Sequence, residues 1–238
     1  RSTHAAKLDP ALNDCCRIIT GCLRPTPKEH LYTLAGIAPP NIRRAVTSQV
    51  ERSKQMDDTR HPLFDHAPAR PRLKSRRSFC SSTMPLRDTA GTTRTRLWRD
   101  HQRATQRNTA MTMNIPAAER LPSGANSKWT TWKSLNRLRT QVGRCHTNMV
   151  KWGLRTDSDT CECGEKQTMS HLLCCRQLHT PVTANDLSAA NDVAILCADH
   201  VRNGRMCGPC VVHVRTMCGP CVVHVRTMCG PCAEWSSI

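Results

Sequence analysis

Apolar residues in several stretches of this chain recur at helical spacing. In "LDPALNDCCRIITGC", residues 8–22, Leu12, Cys15, Cys16 and Ile19 fall on one face of a helix that Asp9 can cap, Pro10 can open and Gly21 can stop. "TPKEHLYTLAGI" repeats the grammar: Thr26 and Glu29 have capping-box spacing around Pro27, Leu31 and Leu34 face inward, and Gly36 closes the turn. Pro39 and Pro40 introduce a third helix, in which Ile42, Val46 and Val50 recur at four-residue spacing opposite Arg43, Arg44 and Arg52. Three such short helices can pack together but bury little alone. Residues 1–56 are therefore read as a helical segment of something larger.

From 57 to 127 the pattern lapses into Pro, Thr, Ser and Arg, as in "HAPARPRLKSRRSF", which predicts a basic, mostly disordered linker. Within it only "TRTRLWRDHQRATQR" hints at a helix. Order returns in "KWTTWKSLNRLRTQVGRCHTNMVKWG", where Trp129, Trp132, Leu135, Leu138 and Val142 follow helical spacing. Lys133, Arg137, Arg139 and Arg144 lie largely off that stripe, and Lys151 follows it. The expected fold is mainly α: small helical clusters joined by the linker, a zinc-knuckle-like element within 128–202, and an irregular repeat tail over 203–238.

Composition sharpens this picture. Of 238 residues only 38% are hydrophobic and 3% aromatic, which argues against one large core. The formal net charge is +17, and residues 176–238 hold five basic against four acidic groups, so nearly all of the excess lies before them. A field of that size attracts polyanions, and an RNA or DNA backbone is the partner it predicts; a solvated, partly disordered basic chain is the alternative. No run of about 18 apolar residues is present, so no membrane span is expected. Arg1 opens the chain without Met or a charged-then-apolar leader, which suggests a fragment whose true beginning is missing, while cysteines clustered beside histidine without a secretion signal suggest a reducing compartment, nucleus or cytoplasm, and not a secreted protein. Sixteen cysteines, several clustered beside histidine, then read as thiols or metal ligands and not as disulfides.

The cluster is "CECGEKQTMSHLLCC": Cys161, Cys163, seven residues, His171, three residues, Cys175. Zinc takes four thiolate or imidazole donors in a tetrahedron. Cys161 and Cys163 in a tight Gly164 turn supply two, and His171 with Cys175, one helical turn apart, supply the others. Cys174 competes with Cys175 for the fourth place, and a small buried turn without metal is the competing reading. Four protein ligands would make the single zinc structural, since no position stays open for a reacting water.

These segments together resemble the C-terminal part of reverse transcriptases from jockey-like non-LTR retrotransposons. The matching wording is "LDPALNDCCRIITGCLRPTPKEHLYTLAGIAPPNIRR", "WKSLNRLRTQVGRCHTNMVKWGL", "CECGEKQTMSHLLCC" and "AANDVAILCADH", which spans most of residues 1–202 apart from the linker. The resemblance implies helices like those of a thumb or connection after the polymerase palm, then a Cys/His knuckle that contacts nucleic acid. It does not bring the catalytic centre. Polymerase chemistry needs paired aspartates holding two metal ions, and the nearest string, "QMDD" at 55–58, has Gln55 in place of the family's aromatic and helical or polar flanks in place of strands. Asp57 and Asp58 are read as a solvated helix end. With no phosphate loop, HExxH or Ser-His-Asp arrangement, no small-molecule substrate and no enzymatic activity of the isolated chain are expected.

The tail repeats "MCGPCVVHVRT" at an eleven-residue period, giving Cys-Gly-Pro-Cys at 207–210, 218–221 and 229–232. A thioredoxin-type pair needs a strand, a helix N-terminus and a domain around it, and seven residues between copies leave room for none of these. Letter-perfect identity points to recent duplication of coding DNA. A Cys/His metal-binding tail, with pairs such as Cys207 and Cys210 beside His213, and a degraded copy without selected function are the alternatives.

Overall fold

A computed structural model describes residues 3–66, 79–106, 115–176 and 181–202; the Cys-Gly-Pro-Cys tail lies outside the described residues. The described residues are mainly helical and contain no strand longer than an isolated bridge. The helices are α1 (Thr3–Thr20), α2 (Lys28–Ala35), α3 (Pro40–Asp57), α4 (Phe79–Ser82), α5 (Ala90–Gln106), α6 (Trp129–Thr140), α7 (His146–Lys151), α8 (His171–Cys174), α9 (Ala184–Ala189) and α10 (Asp192–Arg202).

The first three predicted helices form, with altered ends. Ala5, Ala6 and Lys7 are good helix formers and carry α1 back to Thr3, so Pro10 lies inside it and Asp9 caps nothing. The Asp9 carboxylate instead receives the Arg44 guanidinium at 2.6 and 3.2 Å, tying α1 to α3. The buried line of α1 is Asn13, Cys16 and Thr20, whereas Cys15 and Ile19 face outward. No capping box forms at Thr26, because Pro27 takes the cap position of α2 and places His30, not Glu29, three residues on. Such a box does form at Thr183 and Asp186, ahead of α9. Gly36 closes α2 in the left-handed region, Pro40 opens α3, and Ile42 and Val46 are buried as expected. Asp57 ends α3 exposed, and Asp58 follows as its cap, accepting the Arg60 amide.

The stretch expected to be a linker is in part a core element. The hinted basic helix is α5, and Trp98, 2% exposed, joins Cys16, Leu31, Leu34, Ile42, Ile115 and Ala117 in the first of the two larger apolar clusters among the described residues. The Gln102 side chain fastens α5 from both sides, donating to the Ile115 carbonyl at 2.8 Å and accepting from the Ala117 amide at 2.9 Å. A second cluster collects Leu135 and Leu138 of α6, Met169, Leu172, Leu187, and Ala194 and Ala198 of α10.

The two clusters meet at the end of α1. A helix leaves its last carbonyls without intrahelical donors, and three α6 side chains supply them. Trp132 Nε1 donates to the Ile19 carbonyl at 3.0 Å, Asn136 Nδ2 to that of Thr20 at 2.9 Å, and Arg137 Nε to that of Gly21 at 3.1 Å. Gly21, at φ +66°, presses against Lys133, where a β-carbon would collide with that residue's stem.

Candidate functional site

Residues 159–167 fold back on themselves as a small hairpin. An antiparallel bridge joins Thr160 to Lys166, the Cys161 amide donates to the Glu165 carbonyl at 2.7 Å, and the Gly164 amide donates to the Cys161 carbonyl at 2.9 Å. Gly164 has φ +88°, a conformation that glycine adopts without cost, and this tight turn is what brings two cysteines one residue apart onto the same side. His171 opens α8, whereas Cys175 lies just past its end in an extended conformation, not on the same helical face. That step places the Cys175 sulfur inward. Cys174 is exposed with its thiol near the Ser170 carbonyl, so Cys175 takes the fourth place.

The Sγ atoms of Cys161, Cys163 and Cys175 and a ring nitrogen of His171 all lie within 4.8 Å of one another. A tetrahedral ion bonded at about 2.3 Å to sulfur and about 2.0 Å to nitrogen separates sulfurs by about 3.8 Å and sulfur from nitrogen by about 3.5 Å. The Cys161 and Cys175 sulfurs are 3.9 Å apart, and Cys163 Sγ lies 3.3 Å from His171 Nε2. The four groups can hold a metal ion. Although the Glu165 backbone favours the Cys163 thiolate, desolvation and the neighbouring Cys161 and Cys175 thiols hold its pKa above the ordinary value. A cation would reverse that balance, because it stabilises thiolates that otherwise repel.

The hairpin is bolted to the segment after α6. The buried Gln167 side chain accepts the His146 amide at 2.9 Å, the Gln167 carbonyl accepts the Thr147 amide and hydroxyl, and His146 Nδ1 lies 2.8 Å from the Thr160 carbonyl. The imidazole of His146 therefore steadies the residue before the first cysteine.

The five expected phosphate-binding cations separate into different classes. Arg144 and Lys151 are exposed and flank the residues that bond to the hairpin. Lys133 and Arg137 are partly buried against Gly21, and burial, with help from the nearby Arg144 charge, lowers the Arg137 pKa. Arg139 is not a surface cation. It is 1% exposed and donates to the carbonyls of Leu187 and Ser123, each at 2.8 Å, and to Asn136 Oδ1 at 3.1 Å. Its guanidinium lies 5.7 Å from the Trp132 ring centroid, and burial pushes its pKa down to about 10. The signal was present in the spacing: Arg139 is one heptad after Trp132 and so shares its face.

No family model, curated protein or solved structure matches the chain.

Proposed function

We propose that the protein is the nucleic-acid-binding C-terminal part of a retrotransposon reverse transcriptase, inactive as a polymerase by itself. A structural zinc ion is held by Cys161, Cys163, His171 and Cys175. Three thiolates and an imidazole form a borderline-soft donor set that suits zinc, and four protein ligands close the coordination sphere. The observation that carries the reading is that exposed Arg144 and Lys151 sit on the backbone segment hydrogen-bonded to the Cys/His hairpin. Metal binding that orders the hairpin then fixes where those two charges meet phosphate. Gripping of this kind is sequence-tolerant and strongly salt-dependent.

Native mass spectrometry of the whole chain should show one zinc in the Cys/His site, lost when Cys161 and Cys163 are both replaced by Ser. Fluorescence anisotropy with unrelated oligonucleotides should show affinity falling steeply between about 50 and 200 mM salt. Replacing Arg144 and Lys151 by Ala should weaken binding to every sequence alike. A flat salt response, or a loss confined to one sequence, sinks the proposal.

A further inference from the structure

The outer face of α5 is a second charged surface that the site around the hairpin does not use. Arg96, Arg99 and Arg103 are exposed at helical intervals of three and four residues, with Thr92 and Thr95 on the same side. They line an open hollow of about 430 Å³ together with Asp100. Seven residues of helix place the first and last of these arginines about 10 Å apart along its axis. Asp100 is the acidic group lining the hollow, and its 3.2 Å contact with Arg103 is solvent-exposed, so a phosphate can replace it at little cost.

The inner face of the same helix is held fast. Trp98 and Thr93 are buried, Arg94 makes a bidentate pair with Glu119 at 2.7 and 2.9 Å, and Gln102 is fastened to the Ile115–Ala117 backbone. Arg99 Nε also reaches the Ala117 carbonyl at 3.4 Å, which restrains its long side chain. The helix is thus presented in a fixed orientation, and Arg99 has less rotamer entropy to lose on binding than a free surface arginine has.

What the stripe lacks decides its partner. Trp98 of α5 is buried, and His101, the other ring of that helix, lies beside Trp98 and Gln102 away from the arginine hollow, so the residues lining that hollow offer no aromatic platform on which an unpaired base can stack. The face around α6 and α7 differs, since Trp129 is 51% exposed and Trp152 36% exposed there. A guanidinium row without aromatic residues suits a surface dense in phosphate and closed to base contact. We propose that the α5 stripe binds the sugar-phosphate backbone of double-helical nucleic acid, which presents one charge per about 1.7 Å of axis. This rests on the nucleic-acid-binding reading above and assigns the duplex to one face.

The test measures anisotropy of the full chain with a 20-base-pair DNA duplex and with dT20, each across a salt series. Arg96→Ala with Arg99→Ala should lower duplex affinity at least about tenfold at 0.1 M salt, cut the log–log salt slope by about 2, and leave dT20 binding within about twofold. Arg96→Gln with Arg99→Gln keeps the side-chain stems and should give the same result, which excludes disturbance of the helix by truncation as the cause. Unchanged duplex binding in both variants overturns the assignment while leaving the broader reading intact. An equal loss for both probes also overturns it, because the stripe would then be indifferent to strandedness. A wild-type chain that binds neither probe overturns both readings, and tighter binding to anionic lipid vesicles than to the duplex transfers the stripe to a membrane surface.

Discussion

Arg139→Ala should destabilise the fold and not act as a nucleic-acid mutation. The guanidinium makes three short hydrogen bonds of 2.8, 2.8 and 3.1 Å, which carry the estimate, and a long fourth of 3.5 Å to the Ser188 carbonyl; its removal takes the donor from the Leu187 and Ser123 carbonyls and from the buried Asn136 side-chain oxygen. Hydrogen bonds to a charged donor contribute about 1.5–3 kcal/mol each, so the gross loss is roughly 5–9 kcal/mol. Against this stands relief from burying the charge. The fall of its pKa from 12.5 to about 10 corresponds to about 3 kcal/mol of unfavourable environment at neutral pH. The net expectation is a destabilisation of about 2–6 kcal/mol, a large share of the stability of a small protein. Urea unfolding followed by circular dichroism at pH 7 measures it directly, with Arg144→Ala as the comparison, expected to stay within about 0.5 kcal/mol because that side chain is exposed. If Arg139→Ala left the urea midpoint unchanged and weakened oligonucleotide binding as Arg144→Ala does, the burial argument would be refuted.

Three further outcomes follow from the same packing. Cys175→Ser should abolish metal binding measured by native mass spectrometry and Cys174→Ser should not, since only the former sulfur lies within the donor group; the reverse result would contradict the geometry. Trp98→Ala should cost about 3–5 kcal/mol in urea unfolding, and a cost below about 1 kcal/mol would return the 57–127 stretch to linker status. His30 has a buried Nδ1 without a hydrogen-bond partner, and burial holds its pKa below 6.5 despite the opposing Glu29 charge. The unfolded chain therefore takes up the proton first: stability from this group is complete above pH 6.5 and is lost as the pH falls through the lower folded value. With chelator present throughout, His30→Gln should shrink the loss of unfolding free energy between about pH 7 and pH 5, and an unchanged pH profile would remove His30 as its source.

The Cys/His site was legible because its information is local. Four donors within fifteen residues and a glycine turn nearly define the group, whereas the choice of Cys175 over Cys174 and the place of Cys175 past the end of α8 needed coordinates. The leucines and β-branched residues of α2, α3 and α6 were equally plain, because apolar burial follows the helical period. Helix ends were less so, since Asp9 is drawn away by Arg44, a residue 35 positions distant. The most consequential misreading concerned charge. Composition marks an arginine as a surface cation, and although the heptad step from Trp132 puts Arg139 on an inward face, only the fold brings carbonyls from residues 123 and 187 onto it. The same bias hid α5, whose polar wording masks one tryptophan that decides its place.

The meeting of α1 and α6 has a consequence for the order in which the chain acquires structure. The Ile19 carbonyl finds its donor in Trp132, 113 positions later, so the end of the first helix is completed only after α6 has been synthesised. Closing a loop of that length costs about 4 kcal/mol of chain entropy. During translation the first helices must wait with exposed backbone until α6 emerges, and the slow step of folding is expected to be this long-range closure and not the formation of any helix.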